Sequence, residues 1–290
     1  MDRLTAIQQR FSVRSYADRS IDARLLEQLL RFAENAVPPK RGEASSAPQK
    51  GRIPPRVALL SGADRVARVL TFMIGSYGFV NNAPHLLVGV LPEESEEARI
   101  DLGYVLEQVV LEATRLGLGT CWITGTYNAE QAKEALTLGP DEVAAAVCAL
   151  GYPTEQGLGR LHTEVIRRLA RGHRRKPLTE IVFDRRWGEP WSPQEADPAL
   201  VTMLEHARLA PSAHNGQPWR FVVDADQMTL ALVRQSFIDA GIVMSHVSLA
   251  SAALAREGRW EIRLRDEALA RRCDLPRRAI PIATFDLTSG

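Results

Sequence analysis

Ile100–Trp122 reads IDLGYVLEQVVLEATRLGLGTCW, and Ile238–Trp260 reads IDAGIVMSHVSLASAALAREGRW. Set against each other at an offset of 138, the two stretches agree at eight of 23 positions, against roughly 6% expected from average composition. In the first, Leu102, Val105, Leu106, Val109, Ala113 and Leu116 form one apolar stripe at helical spacing, and Gly117 is placed to end the helix. Shared apolar positions need no common origin, because each amphipathic helix requires a buried face. The shared Asp-x-Gly at Asp101 and Asp239, and the shared Trp122 and Trp260, are not explained that way. The chain therefore reads as two diverged copies of one α/β (α+β) module, each a helix-flanked, mainly antiparallel sheet, over 1–183 and 184–290.

Working outward, the order of elements repeats. Asp22 can cap a helix carrying Leu25, Leu26, Leu29, Leu30, Ala33 and Ala36. A Pro, Lys, Gly and Ser-rich stretch, Pro38–Pro55, reads as an exposed loop. A strand is expected at Arg56–Leu60, a helix through Val66–Ile74, and a buried strand at His85–Leu91. After the long helix come a strand near Trp122, a short helix at Ala129–Leu136 and a strand at Val143–Leu150. A connector, Gly151–Glu195, is basic at Arg167, Arg168, Arg171, Arg174, Arg175 and Lys176. Asp197-Pro198 then opens a helix, Arg220–Asp224 and Met228–Val233 form a hairpin, and the second long helix follows.

Composition excludes rather than selects. Thirty-six basic and 35 acidic residues give a net charge of +1 in 290 residues, so no global field favours nucleic acid or a membrane surface. The opening MDRLTAIQQR lacks an apolar core, so no secretory signal is expected. No stretch approaches the ~20 apolar residues of a bilayer span. A soluble, cytoplasmic protein is the expectation. Cys121, Cys148 and Cys273 are widely spaced in apolar or helical surroundings and read as core residues. His206 and His214 lack a carboxylate at zinc spacing, and no serine sits in a GxSxG elbow.

Three segments can carry chemistry. Arg10, Ser12 and Arg14 alternate in RFSVRSY, so an extended backbone turns all three to one side. Two guanidinium forks and a hydroxyl suit a phosphate or polyhydroxy chain; an exposed basic strand is the plainer alternative. Pro211-Ser212-Ala213-His214-Asn215-Gly216-Gln217-Pro218-Trp219 joins a helix to a strand. Its amides supply the donors and acceptors that a uracil-like ring edge needs, or they satisfy their own backbone. Gly117–Gly125 follows a helix and enters a strand, the reverse of a dinucleotide fingerprint. It reads instead as a glycine cap followed by a close approach of Thr124 and Gly125 backbone to a flat ligand.

Taken in order, these segments resemble the FMN-dependent nitroreductase family. RFSVRSY is similar to its Arg-x-Ser-x-Arg signature, Asp101–Gly125 to its central helix and strand entry, and Gly151-Tyr152-Pro153 with Arg174-Arg175-Lys176-Pro177-Leu178 to its C-terminal segment. HARLAPSAHNGQPWRFVV, His206–Val223, matches its Ala-Pro-Ser-x-x-Asn-x-Gln-Pro-Trp motif. One departure matters. The family places Pro-Ser-x-x-Asn shortly after Arg-x-Ser-x-Arg, where this chain has Val37-Pro38-Pro39-Lys40. The second half in turn offers only Arg185-Arg186-Trp187-Gly188 for the arginine signature, and Arg256-Glu257-Gly258-Arg259 for Leu118–Cys121.

The resemblance implies a nitroreductase-like fold and a two-fold homodimer compressed into one chain, for which a monomer suffices. One FMN site is implied, with Arg10, Ser12, Arg14, Thr124, Gly125, Arg174 and Arg175 from the first copy. Pro211, Ser212, Asn215 and Gln217 would come from the second. The implied activity is hydride transfer from NAD(P)H through FMN to an electron-poor small molecule such as a nitroaromatic or quinone, with no catalytic protein nucleophile. A flavin-binding protein for storage or sensing would use the same residues. A basic nucleic-acid module is the remaining alternative; it would bind no flavin and show steep salt dependence.

Overall fold

The computed structural model describes residues 1–42, 53–70, 80–154 and 174–287. Its centre is the pair of helices that opened the sequence analysis, α4 (Glu96–Arg115) and α8 (Phe237–Ala253). Ser95 starts α4, its hydroxyl accepting from the Ala98 N–H at 3.1 Å. Gly117, at φ +79°, lets the chain leave it. α8 is buried almost all round, as expected of a helix apolar on every side.

The two helices run side by side because of the shared glycine. A Cβ on Gly103 would overlap the Ile238 carbonyl, and one on Gly241 would overlap the Ile100 carbonyl. With the offset of 138 these are one contact made twice, residue i on j and j on i. Further along, Glu107 meets His246, and Leu111 and Leu249 share a cluster with Ile7.

Each helix is flanked by a sheet. The four-stranded sheet is ordered β2 (Arg56–Ser61), β3 (His85–Leu91), β5 (Val143–Gly151), β4 (Gly119–Ile123), every pair antiparallel. The larger sheet contains β7 (Trp219–Val223), β8 (Gln227–Leu232), β10 (Ile280–Asp286) and β9 (Trp260–Ile262) in that order, also antiparallel. The order of neighbours is the same in both sheets. The larger one gains an edge strand on each side, both parallel: β1 (Lys40–Arg41) on β9, and β6 (Val182–Asp184) on β7. Helices α2 (Ala23–Glu34) and α7 (Pro198–Ala207) begin at Asp22 and Asp197, whose carboxylates each accept a backbone N–H. Short helices α3 (Ala63–Val69), α5 (Ala129–Ala135), α6 (Leu178–Ile181) and α9 (Glu267–Arg272) complete the connections.

The mixed α/β class is as expected, and the three cysteines are buried core residues as read. Several local expectations need correction. Lys40 and Arg41 are not loop but the edge strand β1, and Arg41 is buried. An additional helix, α1 (Arg3–Gln9), precedes the arginine signature, capped by Asp2. RFSVRSY is not an exposed basic strand, because Arg14 is buried and the Arg10 side chain is 4% exposed. Residues 71–74 of the Val66–Ile74 helix, residues 43–52 of the Pro38–Pro55 loop, and Arg167, Arg168 and Arg171 lie outside the described residues. Among the described residues, no helix is long and apolar enough to cross a membrane.

Candidate functional site

The signature Arg10–Arg14 leaves α1 and runs beside β4, with Ser12 bridged to Thr120 and the Val13 N–H donating to the Thr120 carbonyl at 2.8 Å. Arg14 Nη1 donates to the Ser12 carbonyl at 3.4 Å, and the Cys121 thiol on β4 is buried nearby. Burial pushes that thiol up, while Arg14, Arg10 and a hydrogen bond with Ser12 pull it down. Thr124 and Gly125 follow β4 in an exposed turn, and a side chain on Gly125 would meet open space.

The second-half loop is held from two directions. Residues His214, Asn215 and Gln217 adopt φ of 57°, 51° and 45°, a tight turn that Asn tolerates better than most residues. Its start is tied to α8: the Ala213 N–H donates to Asp239 at 3.1 Å, and the Ser236 hydroxyl donates to the same carboxylate at 2.5 Å. Burial raises the Asp239 carboxyl, and these hydrogen bonds oppose the rise. The Gln217 N–H donates to the Ser212 hydroxyl at 3.0 Å. Pro211 and Ser212 are half-buried at its entry.

The connector meets this loop directly. The Asn215 amide donates to the Arg174 carbonyl at 2.8 Å and accepts from Arg175. Gln217, 4% exposed, accepts from the Lys176 N–H at 2.8 Å and donates to the Arg174 carbonyl at 3.2 Å. Gln217 thus clamps the connector's backbone to the loop. Burial, with Arg10 and Arg208 as like-charged neighbours, lowers the Arg175 guanidinium to about 10. Arg175 and Asn215 therefore meet in one place, and Arg10 acts on Arg175 as a like charge. Arg174 contributes its carbonyl, and its side chain is exposed.

Beneath Arg10 lies a network that sequence reasoning missed. Both oxygens of Glu107 are used: one accepts from the Trp122 indole N–H at 2.6 Å, and the other lies 2.9 Å from His246 Nε2. Arg10 Nε is 4.0 Å from the second oxygen. Glu107 and His246 are fully buried. His246 Nδ1 sits 3.1 Å from the His206 carbonyl, which can only accept, so Nδ1 carries hydrogen. The Nε2 contact then holds a single proton between imidazole and carboxylate. Whichever partner holds it, the pair is electrically neutral. Arg10 Nε and Nη1 are buried without a hydrogen-bond partner among the described residues. A buried guanidinium in that state is costly unless an anion joins it.

The shared aspartates now have a reason. Asp239 anchors the loop after α7, and Asp101 holds Arg41, after α2, at 3.2 Å. The equivalent loop in the first half thus brings a cation to the aspartate where the second brings a backbone N–H.

The family model described as "Putative TM nitroreductase" matches residues 69–251, well over half the chain. The chain belongs to this nitroreductase family, and with it to the oxidoreductases. Among solved structures, the similarly described nitroreductase of Thermotoga maritima aligns over 99% of this chain and 94% of its own, at TM-score 0.60 and 20% identity. That likeness is one of fold. A nitroreductase family protein of Clostridium novyi aligns over 68% of this chain and 99% of its own, at 0.45 and 22%. An FMN-dependent nitroreductase of Clostridium difficile aligns over 52% and 88%, at 0.43 and 20%. No curated protein matches the chain.

Proposed function

We propose that the chain is a flavin oxidoreductase holding one FMN between its halves, reduced by NAD(P)H and reoxidised by an electron-poor small molecule such as a nitroaromatic or quinone. The observation that carries this reading is Arg10: a buried cation whose Nε and Nη1 have no hydrogen-bond partner among the described residues, with Arg175 acting as a like-charged neighbour. A phosphate dianion would satisfy both charges through bidentate contacts. Arg14, whose Nη1 donates to the Ser12 carbonyl at 3.4 Å, and Ser12 are the further groups proposed for the phosphate and ribityl chain. Asn215, Ser212 and the open backbone at Thr124 and Gly125 are the groups proposed for the ring edge.

When bound, FMN supplies the two-electron chemistry, accepting and returning hydride. The residues bind and orient it. Arg10 and Arg175 offset phosphate charge, Gln217 fixes the connector that carries Arg175, and Asp239 fixes the loop that carries Asn215.

We infer further that the chain is a tandem pair over 1–183 and 184–290, a one-chain version of a dimer that kept one of its two sites. Equal strand order, the reciprocal glycine contact and the paired aspartates support this. The test is the flavin-to-chain ratio of the purified protein, with bleaching by NADH or NADPH and recovery with a quinone. A ratio near one with turnover is expected. Bound flavin that neither nucleotide reduces would favour storage or sensing, and no flavin would overturn the reading.

A further inference from the structure

We propose that the Glu107–His246 pair is a positioning device that keeps Arg10 uncompensated and thereby makes the site selective for a phosphate-bearing ligand. The proposal rests on the flavin reading above and deepens it. A buried arginine ordinarily acquires a carboxylate, and Glu107 is near enough to serve, 4.0 Å from Arg10 Nε. It is held back on both oxygens, by the Trp122 N–H and by the proton it shares with His246. Both side chains are fully buried, away from bulk solvent.

The device is one-sided. At the offset of 138, Glu107 corresponds to Ser245 and Gln108 to His246, so the reciprocal combination has neither acid nor base. It occurs only on the side where Arg10 lies. Its two members come from α4 and α8, one from each half.

The sign follows from charge. Removing the shared proton while keeping Glu107 leaves a net negative charge beside Arg10, which then competes with phosphate for the guanidinium. Removing the carboxylate leaves Arg10 as free for phosphate as before. Loss of the acid and loss of the base therefore act differently, which a purely structural role would not produce.

The test compares FMN with riboflavin, which lacks the phosphate, as ligands of the full-length apo chain by fluorescence titration. The wild-type chain should prefer FMN by about tenfold or more. His246→Gln keeps an N–H toward Glu107 without the extra proton, and should lower FMN affinity about tenfold while leaving riboflavin within about twofold. Glu107→Gln should keep the FMN preference, and the double variant E107Q/H246Q should restore what His246→Gln loses. If His246→Gln fails to fold, Trp122→Phe removes the other restraint on Glu107 and should also lower the preference. Equal losses in Glu107→Gln and His246→Gln, or no loss in either, would overturn the role of the pair alone. A wild-type chain that binds both flavins equally would overturn the phosphate reading of Arg10 as well.

Discussion

Arg10 is a residue whose cost in the ligand-free chain is its use. Arg10→Met should leave the apo chain as stable as before, or more stable by about 1–3 kcal/mol, because it removes a buried Nε and Nη1 that have no hydrogen-bond partner among the described residues. The same variant should lose most of the rise in melting temperature that FMN gives the wild type. A fall in apo stability, measured by urea denaturation, would mean that Arg10 is structural. At this scale the sequence was partly legible. Arg10, Ser12 and Arg14 announce themselves by alternation, and Ser212 and Asn215 by their crowded polar loop. Glu107 and His246 do not, because each sits in an apolar helix and they lie 139 residues apart. No local spacing reports a contact made by helix packing. The two roles available to Asn215, ring edge or its own backbone, were equally open in the sequence; in the structure its amide bonds the Arg174 carbonyl and Arg175.

At the scale of the element, the seam between α4 and α8 should be intolerant of a single methyl group on either side. Gly103→Ala and Gly241→Ala each gain about 1 kcal/mol of helix propensity. Each also drives a Cβ into a backbone carbonyl, which cannot rotate aside as a side chain would. Net destabilisation of about 1–3 kcal/mol is expected for each, by urea midpoints. The double variant should cost less than the sum, since one separation of the helices relieves both clashes. Long elements were readable because their apolar period persists over several turns. β1 was not: two residues, Lys40 and Arg41, carry no period, and their partners lie far along the chain. α1 was missed because its seven residues expose much of their surface.

For the whole molecule, the two halves also meet at an exposed ion pair, Arg265 Nη2 on Glu96 at 2.7 Å. Arg265 lowers the Glu96 carboxyl below its ordinary 4.5. Its stabilisation is therefore present above 4.5 and is lost as pH falls through the lowered value. Half-exposed and screened, the pair should contribute no more than about 1 kcal/mol. Arg265→Ala should show that small deficit at neutral pH and progressively less of it in acid, by thermal melts across pH. The paired helices α4 and α8 were the most legible feature at this scale, since eight identities mark them. The addition of two edge strands to the larger sheet was not, because β1 and β6 join it through backbone pairing, which any side chain allows. The placing of β1 bears on how the protein is made. Lys40 pairs with Glu261, and at roughly 5–20 residues per second the ribosome takes roughly 10–40 s to supply the partner. The larger sheet can close only after Glu261 has been made, so a nascent chain must carry β1 as an unclaimed edge across the synthesis of the intervening residues.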